Sequence, residues 1–165
     1  MREAGHGDVV TELIRDHRGI QGMLAELEQS AGRLPERRAD LVSRTILELV
    51  RHSVAEELVL YPALRRRVPD GGALVDRCVA RHAEADRLMR DLAPRSAGEP
   101  GFEDLLADLA AATERHIYEQ EHEVFPTLAA VCSPQELTEL GGRVAAIKRV
   151  APADSRPDSG PPPFS

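Results

Sequence analysis

Tryptophan is absent, aromatics make up only 3% of the chain, and lysine occurs once, at Lys148. So few aromatics, beside long stretches rich in Ala, Leu, Glu and Arg, argue against a sheet and for helices, because strands favour β-branched and aromatic residues. Net positive charge is also missing: the formal charge is -7. This argues against a general nucleic-acid or anionic-membrane binder, since both need clustered cations to displace counterions or meet lipid head groups. The triplet Arg65, Arg66, Arg67 is a local exception and reads as a solvated helix end. No apolar run approaches the roughly 20 residues of a membrane span, and "MREAGHGDVV" lacks the apolar segment of a secretory signal, so a cytoplasmic protein is expected. The two cysteines, Cys78 and Cys132, make neither a CxxC pair nor a disulfide framework and are expected as buried, reduced thiols.

What is present is 165 residues with 42% hydrophobic content, enough for one domain with a real core. Turn signals at "GRLPE", "VPDGG", "PRSAGEPG" and "SPQE" separate helical segments expected at 8–31, 36–67, 72–92, 102–131 and 134–148, and Ser133 with Glu136 forms a capping box. The pattern predicts an all-α, up-down four-helix bundle with a short fifth helix capping it over residues 1–149. Residues 150–165, rich in Pro, Ser and Gly, are expected to form a disordered tail.

The chain repeats itself. A shift of 65 lays "IRDHRGIQGMLAEL" on "VARHAEADRLMRDL", matching His17 to His82; a shift of 64 lays "HSVAEELVLYP" on "HIYEQEHEVFP", matching His52 to His116 and Pro62 to Pro126. Two helix pairs are thus related by duplication, and each helix contributes one histidine. At about 100° per residue, all four histidines fall in apolar stripes: Ile14 and Leu24 flank His17, Leu49 and Val59 flank His52, Val79 and Met89 flank His82, and Leu109 and Ala112 flank His116. Four buried imidazoles need a common partner, because isolated buried polar groups are costly. Counting residues from the turns places all four in one layer if the helices bend at Pro62 and Pro126, where an interior proline removes a backbone donor.

Carboxylates complete the set. Glu56 follows His52 at i+4, about 40° round the helix and one turn along, so both can reach one ion; Asp86 stands in the same relation to His82. The matching places on the other two helices hold Gln21 and Gln120. Imidazole and carboxylate together suit iron, manganese or zinc, and the interior of a helix bundle is where carboxylate-bridged di-metal sites are built.

With His17, His52 and Glu56, His82, and His116 in that order, residues 8–131 resemble the hemerythrin-like, or HHE cation-binding, family, whose ligands read H, HxxxE, H, HxxxE. The resemblance implies a four-helix bundle with two iron ions bridged by carboxylates; manganese and zinc are the alternatives. It also implies a small diatomic or peroxide ligand, with binding and turnover of O2, peroxide or NO, and if the protein is an enzyme, peroxidase- or catalase-like activity. The alternatives are a non-catalytic iron- or gas-binding module and a helical interaction protein with a degraded site. The expected state is a monomer or weak homodimer. Two departures stand out. Asp86 occupies the place of the oxygen carriers' fifth histidine, and Gln120 replaces the second bridging acid. Three residues compete for that role: Glu121 at i+5, the spacing the resemblance supports if a local bulge turns it inward; Asp86, which needs no distortion; and Gln120 itself, through its carbonyl oxygen. His6, His122 and Tyr118 are expected in solvent, Tyr61 in packing, and Glu57 at the surface or behind a ligand.

Overall fold

The computed structural model describes residues 5–32 and 34–150. The expected tail lies outside the described residues from 151 onward, and the fifth helix runs through Val150. Helix α1 spans Val9–Gln29 and opens on Asp8, whose carboxylate accepts the Thr11 N–H at 2.8 Å, the arrangement a helix start needs for its free donors. Its buried residues, Val9, Leu13, His17, Ile20, Leu24 and Leu27, recur every three or four positions and mark a single face. Helix α2 spans Pro35–Ala55, α4 Gly71–Leu92 and α5 Phe102–Glu119.

The segment expected as one helix over 36–67 is interrupted. A π-helical turn, π1, occupies Glu56–Leu60 between α2 and α3 (Tyr61–Arg67), and its duplicate π2 occupies Gln120–Val124 between α5 and α6 (Phe125–Val131). In each, the residue before proline donates five positions back, Tyr61 N–H to Glu56 C=O and Phe125 N–H to Gln120 C=O. Proline has no N–H, and in a regular helix its ring meets the carbonyl four residues earlier; one residue added to the turn relieves both conflicts. The prolines therefore act through an inserted residue where a bend was expected.

Helix α1 lies beside α2 and α5, and α4 beside α3 and α5, closing the bundle. The fifth helix, α7 (Pro134–Val150), packs across α1 and α2 at one end. Its start carries the expected capping box: Glu136 N–H donates to Ser133 Oγ at 3.1 Å, and Ser133 N–H to Glu136 Oε2 at 2.7 Å. Gly141 permits its close approach, since a Cβ there would lie 2.1 Å from the Gly7 carbonyl oxygen.

Two apolar clusters fill the interior. One gathers Val9, Leu13, Leu60, Leu64, Val75 and Phe125 beneath α7; the other gathers Leu24, Leu27, Ile46, Met89, Phe102 and Leu106 toward the opposite end. Between them runs a polar layer holding the four repeated histidines. Of the cysteines, both free, Cys78 is buried and Cys132 is half-buried. The Arg65–Arg67 run forms the last turn of α3, where Arg65 pairs with Asp76 and Arg67 with Glu136 at the surface. Among the described residues, no helix is long and apolar enough to cross a membrane.

Candidate metal centre

The layer is built from one residue at a time on four helices: His17 from α1, His52 from α2, His82 from α4 and His116 from α5, all buried. The duplication is visible in their geometry. The His17 and His52 rings lie 4.9 Å apart at 65°, and the His82 and His116 rings repeat both values. At the start of the π turns stand Glu56 and Gln120, each 0% exposed.

Glu56 is the hub. Its Oε2 lies 2.9 Å from His82 Nε2 and 3.3 Å from His116 Nε2, and its Oε1 lies 3.0 Å from His52 Nε2. The groups His17–His52–Glu56 and Glu56–His82–His116 each bring three ligand-type atoms within 4.8 Å of one another, with Glu56 common to both. The approach of His52 Nε2 to Glu56 Oε1 is not aligned as a hydrogen bond, so both atoms are buried without a hydrogen-bond partner, as is Gln120 Nε2. Unpartnered buried polar atoms are costly in an apolar interior, and of these three the His52 nitrogen, once deprotonated, and the Glu56 oxygen are donors that a cation satisfies. The residues present therefore fit a metal ion.

The outward ring nitrogens are held separately. His17 Nδ1 lies 2.8 Å from Glu121 Oε1, His52 Nδ1 3.1 Å from Asp16 Oδ2, and His82 Nδ1 2.9 Å from Glu57 Oε1. A carboxylate at Nδ1 makes that nitrogen the donor and leaves Nε2 facing inward with its lone pair, the orientation seen in metal-bound imidazoles. Two of these acids are anchored in turn: Lys148 of α7 donates to Asp16, and Arg18 donates to Glu121 at 2.7 Å. His116 Nδ1 is the exception, buried with no partner.

Electrostatics follow the same division. Burial pulls the His52 pKa down, but Glu56 and Asp16 outweigh it and raise it to about 9. For His82, burial is likewise outweighed by Glu56 and Glu57, again to about 9. Burial lowers His17, helped by the charge on His52, and burial lowers His116. Glu56 is pushed up by burial, yet His52, His116 and His82 hold it well below the usual carboxylate range. It remains an anion at the centre of the layer.

The acids expected to replace the second bridging carboxylate lie elsewhere. The π2 turn does swing Glu121 inward, but its oxygens reach the back of His17 and Arg18 and not the middle of the layer. The reason is geometric: at i+5 the side chain points across to the neighbouring helix pair, as its duplicate Glu57 does toward His82. Asp86 is half-buried beside His82, its pKa raised by burial, and it belongs to neither three-residue group. Gln120 is the residue that faces inward, its Oε1 3.0 Å from His17 Nε2. Tyr61, expected only to pack, donates its hydroxyl to Glu56 Oε2 at 3.3 Å and lies 3.0 Å from His82 Nε2. Burial, then Glu56, push its phenol far above the usual range, so it keeps its proton. His6, His122 and Tyr118 are exposed as expected. Asp16 and Lys148 were not legible in the sequence: Asp16 serves a ring on another helix, and no periodicity within α1 marks it.

The chain is similar to known proteins along most of its length. Residues 8–128 match the family described as Hemerythrin HHE cation binding domain. An uncharacterized hemerythrin-like protein of Schizosaccharomyces pombe is 24% identical over 154 residues, covering 92% of this chain and 75% of that protein. A DNA nickase of Nostoc is 25% identical over 140 residues, covering 84% of this chain, but the match spans only 39% of the nickase. The crystal structure of an HHE cation binding domain-containing protein from Mycobacterium kansasii has a TM-score of 0.73 and 26% identity, covering 86% of this chain and 85% of the other. With a family match across the whole bundle and buried His and Glu groups that fit a cation, the chain belongs to the hemerythrin HHE cation binding domain family.

Proposed function

We propose that this is a di-iron protein that binds O2, peroxide or NO, with His17 and His52 at one ion, His82 and His116 at the other, and Glu56 between them. The observation that carries the proposal is that one fully buried carboxylate belongs to both three-residue groups. Mixed imidazole and carboxylate donors suit iron, with manganese and zinc as the other candidates. When bound, two ferrous ions supply electrons and an open coordination position to a small oxidant or gas.

The chain's own residues do the rest. Asp16, Glu57 and Glu121 hold three rings with Nε2 inward, so little reorganisation is needed on binding. Since Glu56 favours the charged forms of His52 and His82, ion binding displaces protons from those rings and strengthens as pH rises. Tyr61 holds a proton beside Glu56 Oε2. The apolar clusters on either side exclude water and limit access to small ligands. One domain spanning the bundle and α7, acting as a monomer or weak homodimer in the cytoplasm, is part of the same reading.

A second reading, a non-catalytic iron- or gas-binding module, is favoured by Gln120. A neutral amide where the duplication leads one to expect an acid leaves less negative charge to hold a second ion. Metal analysis and peroxide assay separate the two. The di-iron reading expects two irons per chain and peroxide turnover that His52→Ala abolishes. One iron per chain with reversible NO binding and no turnover favours the module, and a metal-free, colourless wild-type protein after expression in iron sinks both.

A further inference from the structure

Beside the imidazoles lies a cavity of about 20 Å3, closed by Ile20, Leu49, Met89 and Ala112 and by Thr113 of α5. That is room for about one water-sized group. Its walls are apolar apart from the rings, Ser53, Arg81 and Thr113. Arg81 is committed to Glu119, at 3.1 and 2.7 Å, and Ser53 is only half-buried.

Thr113 differs from three of the other helical threonines, the fourth being Thr11, which is exposed in the first turn of α1. Thr45, Thr127 and Thr138 each donate to the carbonyl four residues earlier, at 2.7, 2.6 and 2.9 Å. That back-bond is the usual way a helical hydroxyl is satisfied. Thr113 makes no such bond; it is 5% exposed and its Oγ1 is buried with no partner. An orphaned buried hydroxyl destabilises the fold unless something else takes its hydrogen bond. Three residues before His116 on the same helix, it shares the face that points into the cavity. In the other half, the equivalent position holds Leu49, which offers no hydrogen bond.

We infer that the Thr113 hydroxyl donates a hydrogen bond to the outer atom of a small ligand where that atom enters this cavity, making it a specificity-determining residue for ligands with an exposed acceptor atom, such as peroxide or a linear anion. The inference rests on the metal-centre reading above. It also places such a ligand on the His116 side of the layer, because the equivalent lining residue of the other half is Leu49, which offers no hydrogen bond.

The test uses azide as the acceptor-bearing probe on iron-loaded protein, titrated by its visible charge-transfer band, with iron content measured in every variant. Thr113→Val is expected to keep its iron and to bind azide about 5- to 10-fold more weakly, the weight of one hydrogen bond, with a shifted azide stretching frequency. Thr113→Ser, which restores the hydroxyl, is expected within about twofold of wild type. Azide affinity and stretching frequency unchanged in Thr113→Val would overturn the inference while leaving the metal centre standing. A wild-type chain without iron overturns the metal centre and the inference with it. A second measurement needs no metal: iron-free Thr113→Val is expected to melt about 2–5 °C higher, since an orphaned hydroxyl is replaced by a methyl of the same shape. A lower melting temperature means the hydroxyl already has a partner, and the inference fails.

Discussion

The half built from α1, α2, π1 and α3 and the half built from α4, α5, π2 and α6 are copies in the helix packing that sets the ring pairs and unlike in much of what sets charge. The ring pairs have the same separation and angle. Glu57 and Glu121, equivalent under the 64-residue shift, each reach across to the Nδ1 of the other half's first histidine, at 2.9 and 2.8 Å. At the centre the copies part. Glu56 is matched by Gln120, the hydroxyl-bearing Tyr61 by Phe125, which only stacks on His17, and Asp16, which holds His52, by Arg81, which turns to Glu119 and leaves His116 Nδ1 alone. Ring geometry comes from helix packing and survives duplication as long as the apolar face does. Charge is a property of single side chains and can be lost from one half at a time.

The largest break in the comparison is Glu56→Gln, which puts an amide at the start of both π turns. In the proposed centre it removes the sole carboxylate shared by the two groups, so iron-to-protein ratio is expected to fall to background. Retention of one ion would show that the two groups do not depend on a common acid. The converse change, Gln120→Glu, restores the missing copy beside His17 and is expected to tighten the weaker ion by about 10-fold or more, read by competition with a chelator of known affinity. Unchanged affinity would mean the weaker position is already satisfied.

A smaller and sharper effect comes from the paired changes Glu57→Gln and Glu121→Gln. Both acids lie behind a ring, so each is expected to weaken metal binding by about 10-fold and by similar factors. A much larger loss for Glu121 would reinstate it as a direct ligand. The mildest effect is one of pH. His52 and His82, with folded pKa values of about 9 against 6.5 ordinarily, add stability that is fully present below pH 6.5 and is lost as pH rises through 9. Melting temperature of the metal-free protein is therefore expected to fall from pH 6.5 to 9, while metal affinity rises over the same window because the protons that compete for Nε2 leave. A flat melting profile would show that the rings are neutral throughout.

Much of this was legible beforehand because it is written at helical spacing. Ile14, His17 and Leu24, or Leu49, His52 and Glu56, declare a buried face within a few turns, and the 64- and 65-residue shifts declare that it occurs twice. Pro62 and Pro126 announced an irregularity, though a proline can be answered by a bend or by an inserted residue, and only the packed helix shows the π turn. Glu121 depends on more than its place along the helix. Its i+5 place lets the π turn swing it inward, but whether the carboxylate meets an ion or the back of His17 depends on how close α1 lies to π2.

By itself, the sequence determined the helices, the paired histidines, the central Glu56 and the loss of its copy at Gln120, since each depends on residues within a few turns of one helix. The tertiary structure decided which oxygen faces which nitrogen. Asp16 behind His52, Glu57 behind His82, Tyr61 on Glu56 and the unpartnered Thr113 all rest on fits of about 3 Å between helices, and such distances follow from the packing of the whole bundle.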